Sequence, residues 1–236
     1  MAYPQNTMTP VIAADEETRS AFLVKVYQHL ALALVAFVAF EAAFFITGIA
    51  EGMYNFLASG GGFTWLLILG GFMIVSTIAS RSAHNLGNTS AQYGGLFALA
   101  AAEALIFAPI LYYAFRVADG GSGDVWSAAV VTAIGFAALT VVAMVTKKDL
   151  SFLRPIITWG FIIALGLIVA AVIFGFQLGV MFSIAMIGLA GASILYQTQT
   201  IIRQYPAWAY VGAAVSLFAS VMLLFWYVLQ LFLGRD

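Results

Sequence analysis

The chain reads as an all-α, polytopic membrane protein, a bundle of seven transmembrane helices. Three observations carry that reading. Hydrophobic residues make up 64% of the 236 and charged residues 8%, with a mean hydropathy of +1.03, which leaves too little polar surface for a water-soluble domain. Apolar stretches recur at residues 26–49, 63–80, 93–115, 125–146, 154–175, 178–202 and 210–233. Each is long enough, or nearly so, to cross a hydrocarbon core about 30 Å thick at ~20 residues per helix. Every one of the nine Lys and Arg residues lies at or near an edge of these stretches.

Taken in order, residues 1–25 are polar and include the acidic run Asp15-Glu16-Glu17. They lack the basic start and apolar centre of a cleavable signal peptide, so they are read as an exposed tail ahead of a transmembrane domain at 26–236. Span one carries Glu41. Gly60-Gly61-Gly62 reads as a flexible outer loop, and span two ends at Arg81. Span three holds Glu103 six residues before Pro109, which kinks helices. Spans five and six are divided only by a tight turn near Phe176-Gln177. Span six closes on the polar run Ser193 to Gln199, with Ser193 and Gln197 one helical turn apart on one face. Span seven places Gly212, Ser216 and Ser220 at intervals of four, a small-residue stripe that lets another helix come close. None of the runs alternates as a membrane barrel strand would.

The same inventory excludes several functions. The absence of cysteine removes disulfides, thiol catalysis and thiolate metal sites. A net charge of -1, with no basic cluster beyond Lys147-Lys148, argues against nucleic acid as a partner. No HExxH, GxSxG or phosphate-cradling glycine loop is present, and His29 and His84 stand alone at a helix start and in a loop. A retinal Schiff base needs a lysine in the last span, which has none. Neither an enzyme activity nor a cofactor or metal is expected. Asn88-Thr89-Ser90 matches a glycosylation sequon but falls in a loop expected to be cytoplasmic.

Orientation follows from the basic residues. With the tail taken as cytoplasmic, Arg19, Lys25, Arg81, Lys147, Lys148, Arg154 and Arg203 fall inside, against Arg116 and Arg235 outside. The N-terminus is therefore expected in the cytoplasm and the C-terminus on the opposite face.

The residues able to carry chemistry are few. Glu41 and Glu103 stand near the middle of spans one and three, where an ionised side chain costs at least ~2.5 kcal/mol. Each is either a neutral acid tying two helices together or a proton- or cation-sensitive site. The polar end of span six and the Ser-bearing stripe of span seven are either hydrogen-bonded packing or the lining of a polar path.

The loop at residues 146–153, with Lys147, Lys148 and Asp149, resembles the signature of the transmembrane Bax inhibitor motif (Bax inhibitor-1-like) family. Lys25-Val26-Tyr27, Ile194-Leu195-Tyr196 and Ala214-Val215-Ser216-Leu217-Phe218 followed by Leu224-Phe225 extend the likeness over the whole chain. In calcium-leak members a pH-sensing pair of aspartates follows the Tyr of span six and sits in span seven, near a basic residue matched here by Arg81. This chain carries Gln197 and Ser220 at the acid positions, a pair that hydrogen-bonds but does not titrate. The missing span-seven aspartate and the Ser-rich final helix ending in Arg-Asp are similar to the bacterial YccA-like branch. That branch implies a multi-pass protein of the bacterial inner membrane that modulates the FtsH-type membrane protease. The alternative is a leak for protons or calcium built on Glu41 and Glu103.

Overall fold

The computed structural model describes residues 9–118, 121–146 and 148–234. Among them are seven long apolar helices and no strand: α1 (Glu16–Ile46), α2 (Ile49–Ala83), α3 (Thr89–Arg116), α4 (Gly121–Val145), α5 (Leu153–Phe174), α6 (Gly179–Gln204) and α7 (Tyr210–Leu233). Each expected span is present. Short connections make successive helices run in opposite directions. The ends of α2, α4 and α6 therefore gather with the starts of α1, α3, α5 and α7, an end that carries Arg19, Lys25, Arg81, Lys148, Arg154 and Arg203. Lys147 and Arg235 lie outside the described residues.

Burial shows which helices form the centre. The most apolar windows of α3 and α7 are 67% and 72% buried, while that of α5 is 6% buried. Helices α1, α2 and α7 pack on α3, and α4 and α6 pack on α7. Helix α5 leans on α6 and touches α2 more lightly. Phe107 of α3 is the hub of the core: Phe37 meets it edge-on at 5.3 Å, Phe225 stacks on it at 5.3 Å, and Trp226 meets it edge-on at 5.0 Å. Such ring pairs favour one register between helices beyond simple area burial.

Lipid is as apolar as the side chains, so helices associate where small residues let backbones approach. A Cβ added at Gly95 of α3 would run into the backbone of Ala79 and Ala83. One added at Gly212 of α7 would lie 2.9 Å from the His84 ring and 3.2 Å from the Ala83 carbonyl. The stripe in span seven thus receives the end of α2, as its spacing suggests.

Two boundaries differ from the sequence reading. The glycine run is not a loop: α2 begins at Ile49 and passes through it with one break at Gly61, whose φ of 66° is left-handed. Helix resumes on both sides of the run, and glycine supplies the break without a Cβ clash. Similarly, α1 starts at Glu16, inside the segment read as a tail. Asp15 is its N-cap, accepting the Thr18 amide at 2.9 Å and the Thr18 hydroxyl at 2.7 Å, and Glu16 and Glu17 occupy the first turn, where the helix dipole favours acids. The Thr18 amide, then its hydroxyl, hold the Asp15 carboxyl below the usual range. This cap is therefore complete at neutral pH and is lost as pH falls through that lowered value. Ahead of it, Val11 is buried and donates its amide to the Tyr205 carbonyl at 2.8 Å, strapping residues 10–14 to the α6–α7 turn.

Replacing Gly95 with Val should push α2 off α3 and cost about 1–3 kcal/mol, the usual penalty for overpacking. Gly94→Val, at a neighbour with nothing within 4 Å of its added Cβ, should be tolerated. Thermal melts in detergent compare the two, and equal melting temperatures would contradict the close approach.

Candidate functional site

A cleft of 1520 Å³ lies between α2, α3, α5, α6 and α7. Its lining runs from Arg81 near the basic end to Gln230 and Gly234 near the other. Helix α7 forms its floor because Ser216, Ser220 and Leu223 recur on one face, and α6 adds Ser193 and Gln197 one turn apart. Helix α3 contributes Glu103, halfway along its length and 6% exposed. Four of the five intramembrane candidates, Arg81, Glu103, Gln197 and Ser220, therefore share one cleft.

Glu41 is elsewhere. It lines neither this cleft nor the smaller hollow beside Tyr54, Pro109 and Trp226. It is spaced four residues from both Phe37 and Phe45, whose rings meet Phe107 at 5.3 Å and Phe115 at 5.7 Å, so it shares their face in the α1–α3 seam. Both of its carboxyl oxygens are buried without a hydrogen-bond partner among the described residues. The tie between helices that a neutral acid could make there is not formed, and the two acids do not share a site.

Polar groups mark both ends of the cleft. Toward the basic end, the Gln197 amide oxygen is buried and has no protein partner among the described residues. At the far end the Ser183 hydroxyl donates to the Gln230 amide oxygen at 3.3 Å. Between them the walls are largely apolar, with Leu69, Phe72, Phe107, Phe161 and Met222, and are broken by Glu103 and Ser220.

Sequence reasoning passed over the part played by His84. Its Nδ1–H donates to the Ser80 carbonyl at 2.7 Å, because a carbonyl can only accept. Nε2 then accepts from the Tyr205 hydroxyl at 3.1 Å, and the Ser216 hydroxyl on the cleft floor lies 3.3 Å from it while donating to the Gly212 carbonyl at 3.1 Å. His29 repeats the arrangement nearby, donating to the Lys25 carbonyl at 2.7 Å and accepting from the Tyr93 hydroxyl at 2.8 Å. Only the Gly212-Ser216 spacing hinted that something would dock against α7 at this level. The glycosylation-like Asn88 also has a structural role, capping α3 by accepting the Ala91 amide at 3.0 Å.

The signature loop is held by a residue from the span-six polar run. Gln199 accepts the Leu150 amide at 2.7 Å and donates to the Lys148 carbonyl at 2.8 Å, fixing the backbone on both sides of Asp149. The hydroxyl and amide of Ser151, and then Arg203 at 3.8 Å, hold the Asp149 carboxyl below the usual range. Their hold on the loop is complete at neutral pH and is lost on acidification through that lowered value.

The geometry defines a seven-helix integral membrane protein wrapped around α7, with one acid among the described residues facing an interhelical cleft. Residues 19–236 match the family described as inhibitor of apoptosis-promoting Bax1, and the chain belongs to this Bax inhibitor-1 family. Over 139 residues it is 36% identical to the uncharacterized protein PA2604 of Pseudomonas aeruginosa, an overlap covering 58% of this chain and 61% of that protein.

Proposed function

We propose that this Bax inhibitor-1 family member is a passive, non-enzymatic conduit for protons, with Glu103 as the exchange group at the middle of the cleft. The observation that carries the reading is the placement of Glu103 in the cleft wall, between polar groups at either end. Intramembrane carboxyl groups that face a cavity are the recurrent stations of proton paths. Amides and hydroxyls on both sides can order the water that bridges them. One carboxyl group is a thin ligand set for calcium, which takes about six to eight oxygens, so the proton is the better-matched species. Gln197 and Ser220 supply hydrogen bonds but no titration, which leaves Glu103 as the acid of the cleft.

Modulation of an FtsH-type membrane protease, the role implied by likeness to the YccA-like branch, would draw on the N-terminal segment instead. Residues 10–14 of that segment are strapped to the α6–α7 turn, which favours the cleft as the working part. We also propose that the basic end faces the cytoplasm of a bacterial inner membrane, by the asymmetry of Lys and Arg.

Proton uptake into liposomes, driven by a potassium diffusion potential and followed with an internal pH dye, tests the conduit. Glu103→Gln should drop uptake to that of empty vesicles, while Glu41→Gln should keep the unmodified rate. Unchanged uptake in Glu103→Gln would contradict the conduit and leave protease modulation as the reading to pursue. Orientation is tested separately: alkaline phosphatase fused after Asp236 should be active, and an inactive fusion would reverse the assignment.

A further inference from the structure

The side of the cleft that faces the bilayer has a chemistry of its own. Helices α2 and α5 form its two rims. They come together near Gly62, where an added Cβ would lie 3.1 Å from a Val172 methyl carbon. From there toward the basic end they line opposite sides, with Leu69 and Phe72 on α2 and Phe161 and Ile168 on α5. Among the described residues, neither α1 nor α4 lines this gap. Helix α1 packs on α3, α7 and α2, and α4 packs on α7, α6 and α3. Among the described residues of α5, Ala164 alone is buried. Hydrocarbon is therefore the solvent at the opening.

The basic end of the gap carries charge on both rims. Arg81 lines the cleft from the last turn of α2 and is exposed. Arg154 stands in the first turn of α5, three residues before cleft-lining Ile157 and hence on the same face, and is also exposed. Neither is in an ion pair with a carboxylate of the described residues. Two guanidinium groups without a carboxylate partner among the described residues thus stand at the basic end of α2 and α5, Arg81 in the lining of the apolar slot and Arg154 one turn before it. Arginine matches phosphate through planar, paired donors.

We propose that this slot binds an anionic phospholipid from the leaflet at the basic end, with one acyl chain between α2 and α5 and its phosphate held by Arg81 and Arg154. The dimensions agree. The nine residues from Arg81 back to Phe72 rise about 14 Å, close to the depth of one leaflet in a core roughly 30 Å thick. The cleft exceeds the roughly 300–1,000 Å³ of pockets that enclose small ligands, so a chain can occupy its open side and leave the polar floor free. Apolar aromatic walls favour a hydrocarbon chain over water there. A zwitterionic headgroup would bring its own cation up to the arginines, which favours a net negative lipid; basic pockets between membrane helices select such headgroups. The bound chain would supply the missing wall between Glu103 and the bilayer. The proposal does not rest on the proton reading, because its readout is lipid retention and not flux.

The full chain, purified in neutral detergent, is offered phosphatidylglycerol and phosphatidylcholine with identical acyl chains, and retained lipid is counted by native mass spectrometry beside thermal melts. The unmodified protein should keep one phosphatidylglycerol in preference and melt higher with it. Arg81→Gln with Arg154→Gln should bring the preference down to parity. Leu69→Trp, which fills the slot while leaving both arginines, should lose retention of either lipid; circular dichroism verifies that both variants are folded. Lys148→Gln removes a basic-end charge outside the slot and should change nothing. Equal retention of the two lipids by the unmodified protein would overturn the proposal. So would a preference that survives loss of both arginines, retention that survives Leu69→Trp, or an equal loss in Lys148→Gln, which would mean a diffuse surface charge effect.

Discussion

The distance at which α2 can sit from α3 and α7 governs the rest of the bundle, and two glycines set it. Gly95 admits the backbone of Ala79 and Ala83, and Gly212 admits Ala83 and the His84 ring. In water, hydrophobic burial would draw these helices together whatever their detailed shape. In lipid that drive is absent, and association depends on close packing and on polar groups that find partners. The contact at the basic end of α2 therefore decides where the remainder of that helix points. It leaves the Leu69 and Phe72 side of α2 facing a space that α5 borders but does not fill.

Helix α5 completes the geometry from the other side. A Cβ at Gly160 would lie 2.6 Å from a Leu189 methyl carbon, so α5 presses tightly on α6 while meeting α2 only lightly. The cleft is a consequence of two close contacts, α2 with α3 and α7 and α5 with α6, that leave a gap between the pairs. Glu103 faces that gap because it shares one face of α3 with Leu99, Ile106 and Phe107, which also line it. At the basic end the α6–α7 turn ties the pairs together. Tyr205 takes the Val11 amide on its carbonyl and bonds His84 through its hydroxyl, linking the N-terminal strap, α2 and the cleft floor at Ser216.

Much of this was legible in the sequence, and the part that was not has a physical cause. Seven spans could be counted because a hydrocarbon core fixes the length of each apolar run. The family could be recognised from the loop around Asp149 and the small residues of α7. Which way each acid faces could not be read. A membrane helix is apolar on its lipid side and its packed side alike, so no amphipathic stripe marks the interior as it would in a soluble bundle. Glu41 and Glu103 look equivalent in the sequence, yet one lies in a helix seam and the other in a cleft. The glycine run read as a loop because glycine and turns are correlated, although here the break is confined to Gly61, with helix on either side of it. Gln199 stood out only as the end of a polar run, and the partners of Gln199 and His84 were not legible because they lie 49 and 132 residues away in the chain.

The difference between the two acids is the claim on which the account turns, and this cysteine-free chain allows it to be measured directly. Glu103→Cys and Glu41→Cys, each as the lone thiol in a reconstituted protein, are exposed to a small water-soluble thiol reagent and the rates of labelling compared. Glu103→Cys should react in the intact bilayer, and Glu41→Cys should stay protected until the protein is denatured. Equal protection of both, or labelling of Glu41→Cys alone, would contradict that claim.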